Sequence, residues 1–174
     1  KSNLTLNTLS ELNIRDYSIV TKGNFSIAVF GILGRDAVEL SSASGLTFDD
    51  YIDTAKNTVT EIKKLHSPDL IVCLSHGGTG DAVKDEDIEL AKEVPDIDVI
   101  ISGHTHSFLR SPLRVNDTMI ASCGEYGEYI GRIILSDNNG KIEFDSYELI
   151  PINDTVKPDD DTQIFIESLK GNID

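Results

Sequence analysis

The sequence predicts an α/β fold in which a parallel βαβαβ half is followed by antiparallel strands. Three observations predict it. Apolar runs of strand length, rich in β-branched residues, cover residues 25–33, 70–74 and 97–101. Segments of helical periodicity separate them, the alternation that gives parallel strands joined by crossover helices. Beyond residue 118 the helical pattern stops, and two strand-like runs flank Asp137-Asn138-Asn139-Gly140, which contains the Asn-Gly hairpin signal.

Residues 1–24 are polar and weakly patterned and read as a surface lead-in, with a short strand at Tyr17-Ser18-Ile19-Val20 and a turn at Lys22-Gly23-Asn24. The first buried strand follows and closes on Gly34. Residues 35–45 read as a serine-rich loop. Thr47 is expected to open a helix, with Asp50 completing a capping box, because Tyr51, Ile52, Ala55, Val59, Ile62 and Leu65 recur at helical spacing. Ser67-Pro68 ends that helix, and His66 in its last turn suits the helix dipole without further chemistry. A second helix is expected over residues 85–94, its Asp85, Glu86 and Asp87 read as a solvated acidic first turn. Pro95-Asp96 ends it. Strands at residues 119–122, 129–135 and 141–152 complete the antiparallel part, and Pro151, Pro158 and the acids at 159–161 read as an exit linker before a short helix at 162–169.

With 174 residues the chain has the length of one domain, enough to bury roughly 70% of its unfolded surface. Its formal charge is −15, from 15 basic and 30 acidic residues, which excludes non-specific binding to nucleic acid polymers or anionic membranes. A small phosphate ester fits only where cations neutralise it. No apolar stretch approaches about 18 residues, so no membrane segment is expected. Cys73 and Cys123 lie far apart in expected strands and read as buried thiols.

Chemistry concentrates at the strand ends. Val99-Ile100-Ile101 leads into Ser102-Gly103-His104-Thr105-His106, and Leu70-Ile71-Val72-Cys73-Leu74-Ser75 leads into His76-Gly77-Gly78. In extended backbone, residues two apart face one side about 6.6 Å apart, so His104 and His106 are expected to reach one pocket. The carboxyl ends of parallel strands share an edge, which places His76 there too. Imidazoles in this arrangement suit a transition-metal ion.

At Leu74-Ser75-His76-Gly77 and Ser102-Gly103-His104-Thr105-His106 the sequence resembles the calcineurin-like metallophosphoesterases. Its wider pattern, through Gly124-Glu125-Tyr126-Gly127-Glu128-Tyr129-Ile130-Gly131-Arg132 and Tyr147-Glu148-Leu149-Ile150-Pro151-Ile152, is similar to their 5′-nucleotidase and 2′,3′-cyclic-nucleotide phosphodiesterase branch. The resemblance implies a four-layer α/β/β/α sandwich with two divalent ions, zinc, manganese or similar. His76 and His104 would hold one ion and His106 the other, acting on nucleotides or other phosphate esters outside the cytoplasm: extracellular, periplasmic or at the cell wall.

The family's Asp-x-His and Gly-Asn-His-Glu/Asp motifs do not occur in this sequence, its Gly-Asp pair at Gly80-Asp81 follows His76 and is not assigned the metal-bridging role, and its sole methionine is Met119. The expectation is therefore the second half of such a domain at residues 1–157, then the exit linker and the start of an interdomain helix at 158–174. No catalytic residue is assigned to this chain, Asp81 and Asp85 included. Weak or no metal binding, no activity in isolation and homo-association are expected of it. The alternatives are a single-ion module on the three histidines and a purely structural domain.

Overall fold

A computed structural model describes residues 4–5, 14–41, 46–80, 85–138 and 141–170. In chain order the strands are β1 (Leu4–Thr5), β2 (Tyr17–Lys22), β3 (Phe25–Leu33), β4 (Thr47–Phe48), β5 (Leu70–His76), β6 (Val99–Ser102), β7 (Leu113–Val115), β8 (Thr118–Ala121), β9 (Tyr129–Asn138) and β10 (Lys141–Pro151). The helices are α1 (Arg35–Leu40), α2 (Tyr51–Leu65), α3 (Glu86–Glu93) and α4 (Asp160–Lys170).

Six strands form the main sheet in the order β2-β3-β5-β6-β8-β7. β3, β5, β6 and β8 run parallel, while β2 and β7 pair antiparallel at the two edges. Ala28, Phe30 and Ile32 of β3, Ile71 and Cys73 of β5, Ile100 and Ile120 point to one face, as the two-residue period of a strand requires. Tyr51, Ile52, Ala55, Val59 and Ile62 of α2 cover them, with Leu90 and Ala91 of α3. Each fully buried aliphatic side chain here contributes about 1.5–3 kcal/mol. The β9–β10 hairpin crosses the opposite face: Tyr147 Oη donates to the Ser122 carbonyl at 3.1 Å, and the Arg114 guanidinium sits 5.2 Å from the Phe144 ring centre. Leu74 on that face is 51% exposed.

Three local expectations give way. Residues 35–40 are helical rather than loop, because the cap of α1 comes from a distant residue: Glu86 accepts the backbone N–H groups of Arg35 at 2.7 Å and Asp36 at 3.0 Å. Thr47 does not open α2. It pairs with Thr5 in a two-residue ladder, and Asp50 caps the helix by accepting from Ile52 N and Asp53 N. Finally, the strand around Met119 is the fourth parallel strand, with Ile101 beside Ala121. No helix joins β6 to β8, so the usual sign of a parallel connection is missing from the sequence. The β9–β10 hairpin forms as expected, with a bulge at Phe144/Ser146, and its Asn139-Gly140 lies outside the described residues.

α4 exposes all of its apolar side chains, Ile164, Phe165, Ile166 and Leu169. Among the described residues no helix is long and apolar enough to cross a membrane.

Asp50 supplies both cap bonds of α2, the helix that covers the sheet. Asp50→Ala is expected to cost about 1 kcal/mol, read as a lower urea midpoint at unchanged slope.

Candidate metal centre

The register that pairs Leu33 with His76 and Ser75 with Ser102 brings the ends of β3, β5 and β6 level. Gly34 N donates to the His76 carbonyl at 3.2 Å, and Gly103 N to the Ser75 carbonyl at 2.9 Å, so the loops leave from one edge. His76 ends β5 and His104 lies two residues beyond β6, with ring centres 5.0 Å apart. The His76 ring lies against Gly103, where a Cβ would stand 3.2 Å from Nδ1. Partial burial, then the neighbouring His104 and His106 imidazoles, hold the His76 pKa below the usual imidazole range. Its neutral form, the form that binds metal, therefore persists to lower pH.

The backbone of the His-x-His segment is not extended. His104 and His106 have φ of 70° and 55°, and Thr105 N bonds back to the Gly103 carbonyl at 2.9 Å, closing a three-residue turn centred on His104. Such conformations cost about 1–3 kcal/mol for a residue with a Cβ and survive only where the surroundings hold them. Here they are held. Thr105 Oγ1 donates to the Thr79 carbonyl at 2.9 Å and accepts from Thr79 N at 3.1 Å, and Ser107 Oγ donates to the same carbonyl. Gly78, at φ 94°, allows this stitch, since a Cβ would lie 2.4 Å from Thr105 Cγ2.

The turn sends the two histidines to different partners. His104 Nε2 is hydrogen-bonded to Asp36 Oδ2 at 2.6 Å, in a setting where the side chains are only 13% and 25% exposed. His106 Nδ1 lies 2.6 Å from Glu125 Oε2 in an ion-pair contact, but at 56% and 39% exposure. The edge thus joins His76 to His104 and sets His106 beside Glu125 and the Tyr126 ring. Imidazole and carboxylate donors are the chemistry of a divalent transition ion. Among the described residues, no three His, Cys, Asp or Glu side chains converge in metal-binding geometry. His66 is elsewhere, at the end of α2 and hydrogen-bonded to Tyr17 Oη.

Behind the histidines lies Asp87. It was expected in a solvated helix start and is instead 0% exposed. Ser75 Oγ donates to its Oδ1 at 2.5 Å, Ser102 faces the same carboxylate, and Asp87 N donates to the Gly78 carbonyl at 3.1 Å. Asp87 Oδ2 and Ser102 Oγ form no well-aligned bond. Burial pushes this carboxyl above the usual range. A signal was present, because Asp87 falls on the face of Leu90, Ala91 and Val94 at helical spacing. Asp36 had a weaker one, its position just past the end of a parallel strand. Glu125 had none. Asp85 accepts Gly80 N at 2.8 Å, and Asp81 lies outside the described residues.

No protein-family profile matches the chain. Its fold is that of solved 5′-nucleotidases: the 5′-nucleotidase precursor of Thermus thermophilus aligns with a TM-score of 0.79 at 21% identity, over 98% of this chain and 37% of that one. In sequence, the trifunctional nucleotide phosphoesterase protein YfkN of Bacillus subtilis is 30% identical over 94% of this chain, and the 5′-nucleotidase of Vibrio cholerae 29% identical over 79%. The chain belongs to the 5′-nucleotidase-type metallophosphoesterase family. It spans 11% of the length of the first of these relatives and 30% of the second.

Because the folded Asp87 carboxyl titrates above the unfolded one, the native state holds more protons in that interval, and stability falls as pH rises through it. Asp87→Asn keeps the acceptor for Ser75 and removes the charge. Urea unfolding between about pH 4 and 8 is expected to show a flatter pH dependence for Asp87→Asn. Asp87→Ala is expected to lose about 1–3 kcal/mol by stranding the buried Ser75 hydroxyl.

Proposed function

We propose that this chain is the histidine-bearing half of a metal-dependent phosphoesterase domain, acting on 5′-nucleotides or cyclic nucleotides in the larger protein that contains it. The observation that carries the reading is the His76–His104 pair, 5.0 Å apart at the ends of adjacent parallel strands. When bound, two divalent ions would stabilise charge on the phosphoryl oxygens and make water acidic enough to attack.

This chain's part is to hold and orient. His76 and His104 would be ligands of one ion and His106 of the other. His76 presents a neutral imidazole. The strained turn at His104 separates its ring from that of His106, which supports two positions rather than one ion shared by three histidines. The bridging carboxylate and the acid for the leaving group belong to the rest of the domain, so the chain alone is expected to bind metal weakly and to be inactive. Exposed Leu74, Ile101 and Ile130 support burial against that remainder, or association of two copies in its absence. Residues 158–174, α4 included, fit the exit toward a further domain. An extracellular, periplasmic or cell-wall site rests on the family resemblance, and fractionation of the host tests it.

In the full-length protein, His104→Ala and His76→Ala are expected to reduce 5′-nucleotide hydrolysis by about 10²-fold or more, with metal content falling in parallel, while His66→Ala leaves both unchanged. A robust nucleotidase rate from residues 1–174 alone, abolished by His104→Ala, would overturn the half-centre reading.

A further inference from the structure

We propose that Asp36 is a positioning residue for His104: its carboxylate locks the imidazole as the Nε2–H tautomer and leaves Nδ1 as the nitrogen available to an ion. The proposal rests on the reading of His104 as a ligand. Its first support is chemical. An ionised carboxylate has no proton to give, so across the 2.6 Å contact the ring nitrogen must be the donor, and a neutral imidazole that donates at Nε2 carries its lone pair at Nδ1. The second support is burial. At 13% and 25% exposure water competes poorly, and a charge-assisted bond is stronger than on the surface.

The third support is that Asp36 is placed from three sides. Glu86, the first residue of α3, accepts the N–H groups of both Arg35 and Asp36 and so sets the start of α1. The Arg35 guanidinium makes two bonds to Glu89, at 2.9 and 3.1 Å, and lies 4.6 Å from the Tyr51 ring centre. Tyr51 Oη in turn donates to Glu89 at 2.8 Å. α1 is therefore clamped to α2 and α3, and the fixed turn at His104 meets it from the other side. His106 offers the contrast: its Nδ1 meets Glu125 only in an exposed ion-pair contact that solvent weakens, so no comparable lock holds its ring.

The test uses 15N-labelled residues 1–174, with the His104 ring assigned by comparison with His104→Gln, at alkaline pH. Long-range proton–nitrogen correlation is expected to show one tautomer, Nε2–H, for His104. Asp36→Ala is expected to release the ring into a mixture of tautomers, whereas Asp36→Asn, whose side-chain oxygen still accepts, retains Nε2–H. The amide spectrum confirms that each variant is folded, and Asp36→Asn carries the test if Asp36→Ala is not. An unchanged His104 pattern in folded Asp36→Ala, or an Nδ1–H tautomer in the unaltered chain or in Asp36→Asn, would overturn the proposal. Zinc titration of the same samples forms a second arm, where Asp36→Ala is expected to weaken binding by 10- to 100-fold and Asp36→Asn to spare it. Equal loss in Asp36→Asn, with the tautomer held, would make Asp36 a direct ligand and overturn the positioning role. If zinc does not perturb His104 in residues 1–174 while the tautomer responds as described, the tautomer lock stands, and the ligand reading is decided by the metal content of the full-length His104→Ala protein.

Discussion

A carboxylate shut away from water, that of Asp87, joins the parts on which the histidine edge depends. It accepts a hydrogen bond from the Ser75 hydroxyl near the end of β5, faces Ser102 at the end of β6, and its own amide holds the Gly78 carbonyl in the loop between them. Burying a charged group is costly unless it is bonded, so the site tolerates Asp87 only where these partners stand. The cost thereby becomes a constraint on geometry. Strand ends carrying His76 and His104 cannot slide against each other, or against α3, without stranding it.

The neighbours of Asp87 extend that constraint. Glu86 caps α1, Asp87 binds Ser75 near the end of β5, and Glu89 ties Arg35 of α1 to Tyr51 of α2, so three acids on one short helix organise three other elements. They are part of a net charge of −15, yet they do not act as a diffuse surface charge. By contrast, the ion pairs between α2 and the segment around α3, Lys56–Glu93 and Lys63–Asp96, are exposed on both sides and contribute little. Desolvation sets Asp87 apart, since the Arg35–Glu89 pair is itself 50% and 45% exposed.

The sheet is finished on one face and unfinished on the other. α2 and α3 seal the first with a continuous core, while the β9–β10 hairpin crosses only part of the second and leaves Leu74 open. That asymmetry agrees with a chain spanning a minor fraction of its relatives' length. It also agrees with an edge that gathers imidazoles but not a full set of acidic ligands.

Local periodicity was enough to place β3, α2, β5, α3 and the hairpin, and the strand-end rule put His76 and His104 on one edge, because these follow from side-chain spacing along a single segment. Motif resemblance carried the family. What the sequence left undecided depends on residues far apart in the chain: the cap on α1 comes from Glu86 some fifty positions away, β8 joins the parallel sheet without a helix to announce it, and Asp87 is buried by serines from two other strands. The His-x-His spacing suggested a shared pocket, but positive φ at both histidines and the Thr79–Thr105 stitch turned them to Asp36 and Glu125 instead. A carboxylate's role is set by which donors reach it once the chain has folded, and only the tertiary structure decides that.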